Sequence, residues 1–442
     1  MNQLIGMHNF FVLFIFALVR LFGGIDAKEI DSRPLPYSTW MLDSIISRRE
    51  GIEAANGLLS GIQKGIFQQA LRAAVEWSSD EQQNKKWLEY HRKSVKYNAA
   101  EFLDPIDNSL APLDRLCAGR SFMCVFLVLD CDRAALIALR QSIDLQLRNS
   151  DGGYWYFVDP PPPYEQYGNL SYSDGMYGFA PFAVLYGLTY GDPHLNIDSA
   201  VQQLDIMYEH TLHRDTGLIV HGYDGSRQAP WADGKTGASP IVWGRSLAWY
   251  TIGVVDALAI AETDPGLRKT KAYKRMREIY ASLAAAEIEA LRNSAKKTGR
   301  HGVWQVFERP GEKGNFVEAS STAMLIYALG KGLRYGYVDI SQRKKTALKY
   351  FLQASQASQK VVAEDVEDLV RSTYEDLVEH FVTEHVNGTL DFEGTSVISS
   401  LHVASPNFNY YVNREVIRNS LIGTSAFVLA SLEMEHLGNR KL

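Results

Sequence analysis

The chain has few cysteines, three in 442 residues, and little net charge, -6 overall. Cys117, Cys124 and Cys131 recur at intervals of seven. On one helix that spacing sets neighbours about 10 Å apart along the axis, beyond disulfide reach, so the three read as a buried stripe of small residues. The fold must then rest on core packing. No HExxH or CxxC pattern occurs, and cysteines seven apart do not match a zinc-ligand pattern, so the sequence calls for no metal and no organic cofactor. The mild acidity argues against nucleic acid and anionic membrane surfaces as partners, since neither attracts a chain of that sign. No protein partner is indicated. Long apolar runs are missing apart from Phe10 to Val19, "FFVLFIFALV", which has the length of a signal-peptide core and is too short to span a bilayer. Residues 1–27 therefore read as a signal peptide cleaved near Ala27, and 28–442 as a single secreted, extracellular domain. A signal anchor or a plain buried helix is the alternative, because no Lys or Arg precedes the run. N-x-[ST] sequons at Asn169 and Asn387 fit a glycoprotein on the secretory route.

Helices are abundant, and they come in two kinds. One kind follows a glycine or small-residue start and is apolar all round: "LCAGRSFMCVFLVL" from Leu116, "DGMYGFAPFAVLYGL" from Asp174, "WGRSLAWYTIGVVDAL" from Trp243, "ASSTAMLIYALGKGL" from Ala319 and "GTSAFVLASLEME" from Gly423, with "YSTWMLDSIISRR" from Tyr37 as a sixth. The other kind has one apolar stripe and a charged outer face, as in "DRAALIALRQSIDLQLR", "NIDSAVQQLDIMYEHTL" and "YKRMREIYASLAAAEIEAL". Helices apolar on every side are buried, and amphipathic ones cover them. Six of each describe two concentric rings, an all-α (α/α)6 barrel, and "EDVEDLVRSTYEDLVEHF" supplies the outer helix of the last pair. The inner helices converge on an axial cavity whose mouth is formed at their N-terminal ends, where helix dipoles favour anionic groups.

The residues at those starts carry the chemistry. Ser239 and Pro240 read as the N-cap and first residue of a helix that sets Trp243 one turn in and Arg245 and Trp249 on one face. A buried Arg needs an anion: either a structural ion pair with a core carboxylate, or a substrate carboxylate beside tryptophans that stack on sugar faces. Asp174 is an N-cap or, in the aromatic surroundings of Tyr172 and Tyr177, a general acid kept protonated by desolvation. His221, in "IVHGYD", either orients a water or a sugar hydroxyl or is hydrogen-bonded structure. Asp114, in "APLDRLCAGR", offers a second carboxylate, with Asp104 and Asp107 as competitors.

Taken in order, "PLDRL", "RNSDGGYWY", "DGMYGFAPF", "HGYDGSRQAPWADGKTGASPIVWGRSLAWY", "VWQVFERPGEKGNFVEASSTAM", "NGTLDFEGT" and "NYYV" resemble the unsaturated rhamnogalacturonyl hydrolases of glycoside hydrolase family 105, most closely their fungal secreted branch. The resemblance runs from about Tyr37 to Glu435. It implies an (α/α)6 barrel that removes Δ4,5-unsaturated galacturonate from the non-reducing end of pectin lyase products by hydrating the enol ether. Asp174 matches the family's acid, Asp114 its second carboxylate, and His221 the His beside the sugar. Trp243, Arg245 and Trp249 match the binding wall, Tyr177 the aromatic pocket and Tyr37 an N-terminal tyrosine. The sequence departs from the family in "LCAGRSF" after Asp114, in the long "VDPPPPYEQYGNLS" segment before Asp174, and in "GTSAF" near the C-terminus. The unsaturated glucuronyl hydrolases, which act on glycosaminoglycan-type fragments, and a non-catalytic oligosaccharide-binding toroid are the alternatives.

Overall fold

A computed structural model describes residues 35–52, 60–123, 132–158, 168–338 and 363–438. The predicted signal peptide, Cys124, Cys131 and the proline run lie outside them. Tyr37–Leu442 forms one compact unit.

The helices that are apolar on all sides line the interior. α2 (Ser60–Trp77), α5 (Leu116–Phe122), α7 (Gly175–Tyr190), α9 (Gly244–Glu262), α11 (Ala319–Arg334) and α14 (Leu421–Gly438) pack each against the next, and α14 returns to α2 to close a ring. Amphipathic helices cover them: α3 (Glu81–Ala99), α6 (Arg133–Asp144), α8 (Ile197–Thr211), α10 (Lys271–Thr298), α12 (Ala363–Phe381) and α1 (Tyr37–Ser47) lie against α2, α5, α7, α9, α11 and α14 respectively. This is the six-hairpin (α/α)6 toroid. Two short helices, α4 (Pro105–Leu110) and α13 (Phe408–Val412), sit in its loops. Side chains fix several starts: Asp104 caps α4, Asn196 with Ser199 forms a capping box on α8, and Thr270 caps α10. Asp104 is thereby engaged in capping.

The ring differs from the sequence reading in three places. Tyr37–Ser47 is an outer helix, and the sixth inner helix is Ser60–Trp77. Its buried polar side chains conceal it in sequence, but each is bonded: Lys64 to Glu101 at 2.6 Å, Gln69 to Asp256 at 2.8 Å, and Arg72 to Ser121. Ala363–Phe381 belongs to the fifth pair, and the outer helix of the last pair is α1 from the start of the chain. Pro240 does not open a helix. Residues 239–243 are non-helical because they bond to neighbouring segments: Ser239 donates to the Gly222 carbonyl at 2.9 Å, Phe307 donates to Val242, and Trp243 bridges Val306. The helix begins at Gly244.

Three antiparallel strand pairs lie in the loops: β1 (Leu170–Tyr172) with β2 (Gly222–Asp224), β3 (Val382–Glu384) with β4 (Leu390–Phe392), and β5 (Thr395–Ser396) with β6 (Val416–Ile417). The first brings Tyr172 opposite Gly222 and lets Ser173 donate to the His221 carbonyl at 3.0 Å, so residues almost fifty apart in sequence become neighbours. Gly222 is required for this close pairing, since a Cβ there would stand 2.3 Å from the Ser171 carbonyl oxygen. Lower in the ring, a Cβ on Gly253 would meet the Met176 carbonyl at 2.6 Å, which lets α9 approach α7.

Candidate active site

Asp174 sits at the start of α7 in helical geometry, and its side chain makes no capping bond. The N-cap reading is therefore not what the carboxylate does. Its Oδ2 accepts from the Ser246 hydroxyl, on the first turn of α9, and lies 3.6 Å from His221 Nε2. Asp174 keeps 7% of its surface exposed while His221 keeps none, so solvent meets this group of side chains at the acid. Burial lifts the Asp174 carboxyl from 3.8 to about 6, against the lowering effects of Ser246 and Arg245.

Asp114, in the short 3-10 turn before α5, accepts from the Tyr156 hydroxyl at 2.5 Å through Oδ2, while Oδ1 is buried without a partner. Burial and then the charge of Asp174 raise it to about 7. Both carboxyls thus titrate well above the usual carboxylate range, Asp114 in part because of the charge of Asp174.

His221 is pushed well below its usual range by burial and by Arg245, so it is neutral. Its Nδ1 lies 2.8 Å from the Tyr411 hydroxyl. Burial holds that phenol well above its usual range, so it keeps its proton, and the imidazole nitrogen is the acceptor within reach. If the phenol donates to Nδ1, Nε2 carries the hydrogen on the side facing Asp174. Nε2 is buried with no protein partner.

Aromatic rings fix this arrangement. Tyr172 stands edge-on to His221 at 5.0 Å and stacks on Tyr156 at 4.3 Å, while Trp243 lies 4.6 Å from His221 and donates to Gln305. Tyr172 also meets His402 Nδ1 at 2.7 Å through its hydroxyl.

Arg245 has found its anion inside the protein. Its Nη1 donates to Glu318 at 3.1 Å and to the Ser396 carbonyl at 2.7 Å, its Nη2 donates to the Val397 carbonyl at 2.8 Å, and the guanidinium lies over Trp243. Glu318 is fully buried and also takes bonds from Ser320, Ser321 and the Ser396 amide. Of the two readings of Arg245, the geometry holds the structural ion pair. The assignment of Arg245 as a substrate cation is corrected accordingly.

Three further binding-wall assignments are corrected for want of exposure, the first being Trp243, which is 1% exposed and packs on His221. Trp249 and Tyr177 stack on each other at 4.6 Å with 1% and 0% exposed, one turn or more below the mouth. Tyr177 donates to Gln69 and lies beneath Arg120, in a buried network in which Asp256 binds Arg120 at 3.0 Å and Lys331 at 2.7 Å. Tyr37 is corrected as well. It starts outer helix α1 and packs on Trp40 and Phe427, and the neighbouring Ser38 bonds Glu435 near the far end of α14, away from the mouth. Thus Asp174, Asp114, His221, Trp243 and Arg245 share one region, and Trp249, Tyr177 and Tyr37 do not. Sequence reasoning missed Ser246, Tyr156, Glu318 and Tyr411 as members. "NYYV" was the only trace of the last.

A hollow of about 440 Å³ opens elsewhere, lined by Arg300, Trp304, Phe316 and Phe381 among others. Its polar side chains are already engaged, Arg300 with Asp376 and Asn315 with backbone carbonyls, so it offers no group to transfer a proton. Among the described residues no cluster of His, Cys, Asp and Glu forms a metal-binding array.

The six-hairpin toroid is the fold of a class, that of the six-hairpin glycosidases. Within it, the chain belongs to Glycosyl Hydrolase Family 88, whose sequence profile matches residues 53–360. It is similar to the "24.9 kDa protein in picA locus" of Rhizobium radiobacter, 31% identical over 255 residues that make up 57% of this chain and 96% of that protein. In fold it is similar to a family 105 glycoside hydrolase of C. acetobutylicum ATCC 824, with a TM-score of 0.72 and 24% identity over 91% of this chain and 99% of that one. It also has the fold of the unsaturated glucuronyl hydrolase of Bacillus sp. GL1, responsible for the degradation of glycosaminoglycan, at a TM-score of 0.55 and 15% identity over 90% and 95% of the two chains.

Proposed function

We propose that the protein is an unsaturated uronyl hydrolase of the family 105, rhamnogalacturonyl type. It removes Δ4,5-unsaturated galacturonate from the non-reducing end of pectin lyase products. The observation that carries this reading is the Asp174 carboxyl: it is free of capping duty, reaches solvent, and is lifted to about 6, as a group that gives and then takes a proton near neutral pH requires.

In the proposed reaction Asp174 delivers its proton to C4 of the enol ether, leaving an oxocarbenium ion shared between C5 and the ring oxygen. Water adds at C5 and gives its proton to the Asp174 carboxylate, which restores the acid. The hemiketal opens to a ketone at C5, leaving a hemiacetal at C1 that expels the remaining saccharide as an alcohol. Nothing displaces at the anomeric carbon, so the two-carboxylate geometry of inverting and retaining glycosidases is not the template for this reaction. The Nε2–H of His221 is oriented to bind the attacking water or a sugar hydroxyl beside Asp174. In this reading Asp114, hydrogen-bonded to Tyr156, binds the ring.

Elimination across C4 and C5 erases the stereocentre by which galacturonate and glucuronate differ. Discrimination between pectin-derived and glycosaminoglycan-derived substrates therefore falls on the leaving sugar. Loss of the ultraviolet absorbance of the conjugated enol ether, followed with unsaturated galacturonyl-rhamnose and with an unsaturated glucuronyl disaccharide, tests the reading; no loss with either would sink it. Secretion is proposed on the apolar run from Phe10 to Val19. Of the two sequons, the exposed Asn387 is open to glycosylation and Asn169 is half-buried.

A further inference from the structure

The proposed substrate bears a carboxylate, and the cation the sequence offered for it is already bound to Glu318. A second guanidinium stands at the same wall. Arg414 follows the short helix Phe408–Val412, which carries Tyr410 and Tyr411, and precedes the strand Val416–Ile417. It is half-buried. Its Nη2 donates to the Ile398 carbonyl, its guanidinium lies over the Tyr410 ring at 5.3 Å, and its Nε is buried with no partner. No ion pair or other contact with an anionic side chain among the described residues includes it.

Its surroundings tie it to the acid. Arg245 donates to the Val397 carbonyl and Arg414 to the next one along, Ile398, and the two cations are close enough that Arg414 works against the charge of Arg245. The Tyr410 ring beneath Arg414 meets Tyr411 at 5.1 Å, and Tyr411 holds His221 beside Asp174. A partly desolvated guanidinium with an unused N–H and no protein anion carries an uncompensated cost. A planar carboxylate is the ligand whose two oxygens match such a fork.

We propose that Arg414 receives the carboxylate of the unsaturated uronate and so selects the acid over its neutral ester. This rests on the uronyl hydrolase reading above, and the two can be tested apart. Enol-ether loss is measured for wild type, Arg414→Gln and Arg414→Lys, with unsaturated galacturonyl-rhamnose and with its C6 methyl ester. Wild type is expected to prefer the acid. Arg414→Gln should raise KM for the acid about tenfold or more, leave the ester nearly unchanged and alter kcat far less, while Arg414→Lys recovers part of the preference. An unchanged acid-to-ester ratio in Arg414→Gln, or in Arg414→Met should the former not fold, overturns the proposal. If wild type turns over neither substrate, the hydrolase reading falls. Arg414 is then judged by calorimetric titration with galacturonate, where wild-type affinity in Arg414→Gln overturns its role and lost affinity supports it.

Discussion

Replacing Asp174 by Asn should abolish most turnover and at the same time stabilise the protein at neutral pH. The carboxyl is lifted from 3.8 to about 6 by burial. At about 1.4 kcal/mol per pH unit of displacement, the buried carboxylate costs about 3 kcal/mol relative to the unfolded chain. The sign follows from proton counting. Between about pH 4 and 6 the unfolded chain has released this proton and the folded one has not, so stability falls as pH rises through that window and the cost is complete above it. Asn keeps the volume and can still accept from Ser246, but it never ionises. The variant is therefore expected to melt higher than wild type at pH 7 and to lose that advantage near pH 4, where both side chains are neutral. Asp114, relieved of the Asp174 charge, should titrate lower. Loss of proton transfer should reduce kcat by about 10²- to 10⁴-fold with little change in KM. The assay pairs enol-ether absorbance with thermal melts at several pH values. Retained activity would place the acid elsewhere, and a melting difference independent of pH would refute the desolvation argument.

Three other outcomes are expected. In wild type kcat/KM should decline above about pH 6, as Asp174 gives up the proton that the first step needs; a profile flat to pH 8 would contradict this. Arg245→Ala strips the partner from Glu318, which is fully buried, and should cost about 3–5 kcal/mol of stability; a variant that melts like wild type and only loses substrate affinity would return Arg245 to the substrate. Tyr411→Phe removes the donor to His221 Nδ1 and should lower kcat about tenfold with little change in melting, together with a tautomer change at His221 visible by nitrogen-15 resonance. An unaltered tautomer would show that Tyr411 does not set it.

The sequence by itself determined the ring. Apolar-all-round and amphipathic helices alternate with local periodicities that a single chain displays, and five of the six inner helices were legible on that basis, as were the outer helices Arg133–Asp144, Ile197–Thr211 and Lys271–Thr298. Ser60–Trp77 escaped because its buried Lys64, Gln69 and Arg72 look like a solvated face until Glu101, Asp256 and Ser121 arrive from other helices. The site divides in the same way. Asp174, Asp114 and His221 could be picked out because each sits at a helix start or in a glycine-rich loop. What they touch could not, because those bonds join residues far apart in the chain: Ser246 to Asp174, Tyr411 to His221 across 190 positions, and Glu318 to Arg245 across 73. A buried charge announces in sequence only that it needs a partner. Which partner it finds, and so whether it is left over for a ligand, is decided where the loops of separate hairpins meet, and there Arg245 is spent on Glu318 while Arg414 has no anion among the described residues.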